Sequence, residues 1–510
     1  MHTTASCVRS WAVPKESEPP VHSTHTDDTT HPERIDRPRW SAAPTDIELQ
    51  RVIGAVLGGA VADALGAPFE FGPAGAYSER FGTPVLGGTG ELIGGGAFQW
   101  SPGEFTDDTQ MAVALAESIV ACDGFDADDV WGRFLAWRSA AADCGSLTAA
   151  ALRQPTRQGA ALSAHSRLGR SAANGALMRV VGLACAFTAG DETTLIAAAR
   201  AQAALTHHDP AAGWGAAIAA ALIRRAIRGE DPIDAIEPVL DHMAMVDREQ
   251  HKVYSALLHP NWQPEDSGTL SNGTVWTCLA QAVWAVRTTT SFVDAVVAAI
   301  DLGGDTDTVA CVAGAIAGAR DSVQGIPSRW LAYVHGSVMT PDGIEHYDNA
   351  ALQDLARRLA GRAPVPPTTT EHSAGPVEVA PGLHAADLLG AATVPTDWAV
   401  VSLCRTHGRF ASHPVRREVF MIDQAGETNA DLRAAVADAV DSIDALLAEG
   451  RSVVVHCHGG RSRTGLVLKA WAMRTNGWTE RDAHEWLAQR WHRYEDYQQS
   501  FITMLREDWS

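Results

Sequence analysis

A chain of 510 residues is too long for one core, and at roughly 150 residues per domain it should form two to four domains. Its 61 acidic side chains outnumber 40 basic ones for a net charge of −21, and no Lys/Arg block offsets them, which leaves no footing for nonspecific binding to nucleic acid or an anionic membrane. Eight scattered cysteines without a Cys-x-x-Cys pair, no leader-like N-terminus and no apolar run near the ~18 residues that span a bilayer point to a reduced, soluble, cytoplasmic protein.

Residues 1–44 are rich in Pro, Thr, His and Asp and lack apolar periodicity, which reads as a disordered tail. Thr45-Asp46-Ile47-Glu48 has the form of a capping box and opens a helix over RVIGAVLGGAVADALG, whose small residues suit close packing at the centre of a domain. Asp63 lies near its end and Glu70 just beyond it. Residues 71–105, rich in Gly and Pro, read as a long functional loop, and their glycines miss the dinucleotide-binding register. From Asp108 to about Thr340 the pattern is almost wholly helical, with no convincing alternating strand. The domain at 45–360 is therefore all-α, and the Pro/Thr-rich stretch 361–376 reads as a linker. Residues 377–510 change texture: the short β-branched runs WAVVSLC and RSVVVHC alternate with helical patterns, as in an α/β domain.

Two acidic stretches stand out in the first domain. Thr106-Asp107-Asp108 and Asp305-Thr306-Asp307-Thr308 both open helical patterns, and their carboxylate and hydroxyl oxygens suit a hard cation such as Mg²⁺ or Mn²⁺, with no adjacent His to favour zinc. Ordinary helix N-caps have the same composition, so each stretch alone leaves both readings open.

Five ordered blocks decide between them: GAVLGGAVADALGAPFEF, FTDDTQMA, SAANGALMR, LTHHDP and LGGDTDTVACVAGAIAGARDSVQGIPSRW. Residues 48 to about 340 thus resemble the ADP-ribosylglycohydrolases, the relatives of the dinitrogenase reductase-activating glycohydrolase. The resemblance implies a compact all-α fold with two divalent cations in a cleft, held by Thr106, Asp107, Asp108, Asp305, Asp307 and Thr308. It implies a mobile Glu70 at the cleft mouth as catalytic base, with Asp63 close behind the site among the substrate-binding groups. Ser171, Asn174 and Gly175 would lie in the loop cradling the ADP-ribose diphosphate, and His207 on the substrate side. Such a centre suits cleavage at the anomeric carbon of ribose, where charge builds in the transition state. Ala62 and Ala173 depart from the family pattern at positions that shape packing and the loop.

The second domain has its own signature. In HCHGGRSRT, Cys457 and Arg463 stand in the Cys-x5-Arg spacing between a buried-strand pattern and a helical one. A loop of that length turns its backbone N–H groups and a guanidinium onto one phosphate above the sulfur. Residues from about 380 to 505 thereby resemble the Cys-dependent tyrosine and dual-specificity phosphatases. That resemblance makes Cys457 the nucleophile of a phosphocysteine, Arg463 the phosphate clamp, Gly460 part of the phosphate cradle and Thr464 an aid to the second step. Asp423, 34 residues upstream of Cys457, would be the general acid, with Glu427 in reserve. Cys404 stands where some members carry a cysteine able to pair with the nucleophile. The expected protein is a bifunctional hydrolase acting on ADP-ribosylated proteins or small conjugates and on phosphorylated proteins or small phosphomonoesters. The alternative is an ADP-ribose-binding module that targets an active phosphatase.

Overall fold

The structure, a computed structural model, describes residues 31–40, 42–367, 373–424, 426, 428–507 and 509. Helix α1 (Asp46–Gly66) opens with a complete capping box: Glu48 N donates to Thr45 Oγ1 (3.1 Å) and Thr45 N to Glu48 Oε2 (2.8 Å). By length and composition the segment Asp46–Phe69, of mean hydropathy 1.7, could cross a membrane, yet 89% of that apolar window is buried inside the protein. It is the central helix of the first domain.

Helix α2 (Asp107–Cys122) and helix α3 (Thr306–Asp321) pack around it. The α1–α3 contact is backbone against backbone: a Cβ on Gly54 would collide with the carbonyl oxygen of Gly318, and one on Gly58 with that of Gly314. Gly314 and Gly318 meet the carbonyls of Gly58 and Gly54 in return. The two helices run antiparallel, so the end of α1 meets the start of α3, where Thr306 Oγ1 donates to Gly66 O (2.9 Å).

The domain is helical but not wholly so. The disordered-tail reading does not hold for its last residues, because strand β1 (Arg34–Asp36) pairs with β2 (Gly124–Asp126) and Arg34 Nη2 donates to Cys122 O (2.9 Å). Likewise β3 (His335–Thr340) and β4 (Gly343–Asp348) form an antiparallel ribbon. These strands are three to six residues long and mostly part-exposed, too short and too polar to alternate recognisably. The Gly-rich loop also differs from a free functional loop. It contains a helix at Ala76–Phe81, and Glu91 is buried in a bidentate pair with Arg329 (2.9 and 3.0 Å) while accepting from Trp330 Nε1 (2.6 Å).

The second domain is built on a five-stranded sheet in the order β5-β6-β9-β7-β8: β5 (Val377–Ala380), β6 (Leu383–Asp387), β7 (Ala399–Ser402), β8 (Arg416–Glu418) and β9 (Val453–Cys457). Edge strand β5 is antiparallel and the rest are parallel. Strands β7 and β9 are buried at every position, which is why they read as continuous apolar runs. Helices α4 (Leu432–Ala448) and α5 (Ser462–Asn476) cover the sheet.

The two domains are packed together. Arg417, fully buried, donates to Leu86 O (2.6 Å) and Gly88 O (3.0 Å) in the Gly-rich loop. Arg405 pairs with Asp354 (2.7 Å), Asn349 donates to Glu418 (2.8 Å), and Ser328 N donates to Asp438 Oδ2 (3.0 Å). Arg417 Nη1 also donates to Arg416 O (2.9 Å) in its own domain, so a buried guanidinium is shared across the interface and separation of the domains would strip it of two acceptors.

Gly58→Ala should destabilise the first domain by about 1–3 kcal/mol, since backbone rather than a flexible side chain must move. Urea unfolding followed by tryptophan fluorescence measures this; a loss no larger than that of Gly132→Ala, where a Cβ meets open space, would contradict the close-contact account.

Candidate functional sites

The two acidic stretches, nearly 200 residues apart in sequence, converge where α1 ends and α2 and α3 begin. Thr308 Oγ1 donates to Asp108 Oδ2 (3.4 Å), and one carboxylate oxygen each from Glu70, Asp305 and Asp307 lie within 4.8 Å of one another. Thr106 does cap α2, its Oγ1 accepting from Asp108 N (3.3 Å), so the N-cap reading holds there alongside the site reading. Asp305 occupies the cap position of α3 without a side-chain capping bond, and its carboxylate is directed elsewhere. Asn174 Nδ2 donates to Asp305 Oδ2 (2.8 Å), and Asn272 Oδ1 accepts from Asp305 N (3.0 Å).

Burial and mutual repulsion make the cluster electrostatically unstable by itself. Burial, then neighbouring carboxylates, pushes Asp107, Asp108 and Asp307 well above the usual carboxylate range. Glu70 is pushed up to about 8 by burial and then by Asp305, Asp143 and Asp63. Asp108 Oδ1 and Glu70 Oε2 are buried without a hydrogen-bond partner. Crowded carboxylates and orphaned oxygens, with hydroxyls among them, are the donor set a hard divalent cation fits.

Glu70 is held by backbone pairing. Phe71 N donates to Gly304 O (2.6 Å) and Gly304 N to Gly72 O (3.1 Å), which fixes the glutamate loop to the turn carrying Asp305. Phe71 takes φ 63°, an uncommon value for a bulky residue, and the strain sits next to the candidate base.

Asp63 is engaged by the protein itself. It is fully buried, and its carboxylate accepts from Thr106 N (3.0 and 3.1 Å), Thr109 N (3.1 Å) and Thr109 Oγ1 (2.6 Å), clamping the start of α2 from behind. Ser171 is similarly engaged: Oγ accepts from Asp209 N (3.0 Å) and pairs with His165 Nδ1 (2.7 Å). Asn174 acts on Asp305 as described, and Gly175 lies against the His207 ring, where a Cβ would come within 3.3 Å of Cε1.

His207 is buried, and burial followed by the Arg179 guanidinium holds it well below the usual histidine range, so it is neutral. Thr206 Oγ1 accepts from Arg179 Nη2 (2.9 Å) and lies 2.8 Å from His207 Nδ1. Among the described residues Nε2 has no hydrogen-bond partner, and it lies beside Gly175.

Asp143, Asn272 and Thr109 were not singled out from the sequence. Asp143 shares a hydrogen bond with Asp107 and faces Glu70, but nothing in the surrounding ADCGS pattern marks it. Asn272-Gly273 repeats the Asn-Gly of the 174–175 loop, a signal that could have drawn notice.

In the second domain Cys457 ends β9 and is buried. Gly460 takes φ 67°, and a Cβ there would press on Ala386 O (2.9 Å) and Asp387 N (3.0 Å), so only glycine lets the loop lie this close to β6. Its carbonyl accepts from Trp491 Nε1 (2.5 Å). Arg463 Nη1 donates to Leu403 O (3.0 Å) and Met421 O (3.3 Å), and Nε lies 3.4 Å from Asp423 Oδ2. The clamp and the acid candidate are therefore neighbours. Thr464 Oγ1 is buried without a partner at the start of α5. Cys404, whose thiol is pushed up to about 12 chiefly by burial, lies near Cys457, and both are free thiols. Glu427 lies outside the described residues.

A family model for ADP-ribosylglycohydrolase matches residues 44–368, and one for the dual specificity phosphatase catalytic domain matches residues 399–508. The chain belongs to the ADP-ribosylglycohydrolase family and carries a phosphatase domain. Among its relatives, the ADP-ribosyl-(dinitrogen reductase) glycohydrolase of Rhodospirillum rubrum is 29% identical over 55% of this chain and 89% of its own. The ADP-ribosylarginine hydrolase Tri1 of Pseudomonas putida (strain GB-1) is 29% identical over 65% of this chain and 85% of its own. A solved ADP-ribosylglycohydrolase-related protein complex is 29% identical with a TM-score of 0.47, covering 62% of this chain and 98% of that one. The solved structure of human DUSP28 is 23% identical with a TM-score of 0.23, covering 26% of this chain and 91% of that one.

For this ADP-ribosylglycohydrolase domain the raised carboxylates have a measurable consequence. Between the ordinary carboxylate range and their raised values the folded chain holds more protons than the unfolded one, so cation-free stability falls as pH rises through that window. Mg²⁺ or Mn²⁺ should raise the melting temperature by several degrees at about pH 8 and by less at about pH 5, where protons already neutralise part of the cluster. Calorimetry that finds equal shifts at both values, or none, would contradict cation binding here.

Proposed function

We propose that the chain is a bifunctional hydrolase that cleaves the glycosidic bond of ADP-ribosyl conjugates with divalent metal and hydrolyses phosphomonoesters through a phosphocysteine. The observation that carries the first activity is the convergence of two distant acidic stretches into one buried cluster with orphaned oxygens. Thr106, Asp107, Asp108, Asp305, Asp307 and Thr308 would hold two cations, Mg²⁺ or Mn²⁺. When bound, these supply Lewis-acid binding of ribose hydroxyls and favour deprotonation of the attacking water.

Asp63 keeps the Thr106–Asp108 turn in place, and Asn174 with Asn272 orients Asp305. The Nε2–H of His207, beside Gly175, is a donor for an oxygen of the bound diphosphate. Glu70 takes the proton of the attacking water and passes it to the departing nitrogen or oxygen, as the bond from the anomeric carbon to that atom breaks and the water oxygen replaces it. Two relatives bear names that specify ADP-ribosylarginine and ADP-ribosyl-dinitrogen reductase, so arginine conjugates are the first substrates to try.

In the second domain the Cys457 sulfur attacks phosphorus while Asp423 protonates the departing oxygen. Asp423 then takes a proton from the water that cleaves the sulfur–phosphorus bond, with Thr464 beside the sulfur in that step. Arg463 binds the phosphate oxygens; its contacts to Leu403 O and Met421 O must rearrange as it does so. The intact acidic cluster favours turnover over a role as an ADP-ribose-binding module, which would need no such concentration of carboxylates.

The purified chain with Mg²⁺ or Mn²⁺ should release ADP-ribose from ADP-ribosylarginine, and EDTA or Asp305→Ala should remove at least ~100-fold of that rate. Cys457→Ser should abolish phosphatase turnover and leave ADP-ribose release intact. Equal ADP-ribose release in EDTA would defeat the metal assignment, and tight ADP-ribose binding without turnover of any conjugate would favour the binding-module alternative.

A further inference from the structure

The segment that carries Asp423 is built from both domains. On its inner side Asp423 accepts from Gln498 Nε2 (3.0 Å) and Tyr497 Oη (3.4 Å) and lies beside Arg463. On its outer side the turn is closed by Asn429, whose Oδ1 accepts from Ile422 N (2.9 Å) while Nδ2 donates to Ile422 O (3.0 Å). Asn429 therefore grips the residue next to Asp423 by both backbone groups.

Asn429 is itself gripped from the first domain. Gln324, just past the end of α3 and only 4% exposed, donates from Nε2 to Asn429 Oδ1 (2.9 Å) and to Phe420 O (3.3 Å), and its Oε1 accepts from Asp431 N (2.7 Å). Gln50, on the first turns of α1 and 1% exposed, donates to Thr428 O (2.6 Å) and accepts from Ala430 N (3.1 Å). Both amides use donor and acceptor together, so each fixes backbone on the Asp423 segment in direction as well as position. Their own backbones lie at the glycine-packed end of the α1–α3 pair, the most confined place in the helical domain.

We propose that Gln324, supported by Gln50, is a positioning residue for the phosphatase reaction: the helical domain completes the general-acid loop of the phosphatase domain. This rests on the assignment of Asp423 as the acid. A proton donor must sit within hydrogen-bond reach of the departing oxygen, and a misplacement near 1 Å is enough to cost ~100-fold. Asp423 lies on a segment outside any strand or helix, and the two glutamines supply the outer half of its support.

The test compares two phosphomonoesters in the full chain. Phenyl phosphate needs its leaving oxygen protonated, whereas 2,4-dinitrophenyl phosphate does not. Asp423→Asn should lower kcat/KM on phenyl phosphate by ~100-fold or more and barely change it on the dinitrophenyl ester. Gln324→Ala should show the same selectivity at about tenfold, and Gln50→Ala a smaller loss of the same kind. The double variant Asp423→Asn/Gln324→Ala should be no worse on phenyl phosphate than Asp423→Asn, because the bracket acts through the acid. Equal losses of Gln324→Ala on both esters, with a lowered melting temperature, would show a structural role only and overturn the proposal; no loss on either would do the same. If Gln324→Ala does not fold, Gln50→Ala and Asn429→Ala decide by the same comparison. An Asp423→Asn chain without leaving-group selectivity would remove the acid assignment itself, and the bracket's role with it.

Discussion

The close approach of α1 and α3 is the constraint on which the rest depends. Because Gly54 and Gly58 face Gly318 and Gly314 with backbone against backbone, the antiparallel helices cannot shift without breaking contact along their whole length. One end of that pair brings Glu70 to Asp305 and Asp307, with Gly66 against the start of α3. Carboxylates pressed together in a dry site repel one another, and nothing in their own chemistry keeps them there. Packing elsewhere in the pair holds them, and the repulsion that packing imposes is what makes the cluster a candidate site for a divalent cation.

Second-layer residues then refine the cluster. Asp63 accepts hydrogen bonds from Thr106 and Thr109, so this carboxylate anchors the turn that carries Asp107 and Asp108. Asn174 makes the same point with an amide: its side chain holds Asp305.

How much of this was legible follows from the range over which each interaction acts. The capping box of α1, the buried strands β7 and β9 and the Cys-x5-Arg loop are local, and residues a few positions apart specify them. Thr106–Asp108 and Asp305–Thr308 were legible as halves because composition within each stretch signals a cation or a cap, while their union needed the family pattern. Asp143 was not legible, since one aspartate in a loop means nothing until the fold sets it beside Asp107. Strands β1 to β4 escaped for a related reason: they are short ribbons whose pairing is decided by what they pack against. Gln324 and Gln50 were invisible, because a glutamine near a helix end carries no pattern at all.

The domains on either side of residues 361–376 are joined by more than the connecting chain. Arg417 is buried with its hydrogen bonds reaching into the first domain, and Glu418 accepts from Asn349 across the same boundary. Separating the domains would remove two of the acceptors of that guanidinium and leave it Arg416 O. The α1–α3 pair thus carries the acidic cluster at one end and the Gln50 and Gln324 contacts to the Asp423 segment at the other, roughly 24 Å away by the rise of a 16-residue helix. A link of this stiffness transmits position. Regulation between the sites would require a second arrangement of the pair that a ligand could favour, and helices locked backbone to backbone offer no intermediate packing through which to reach one.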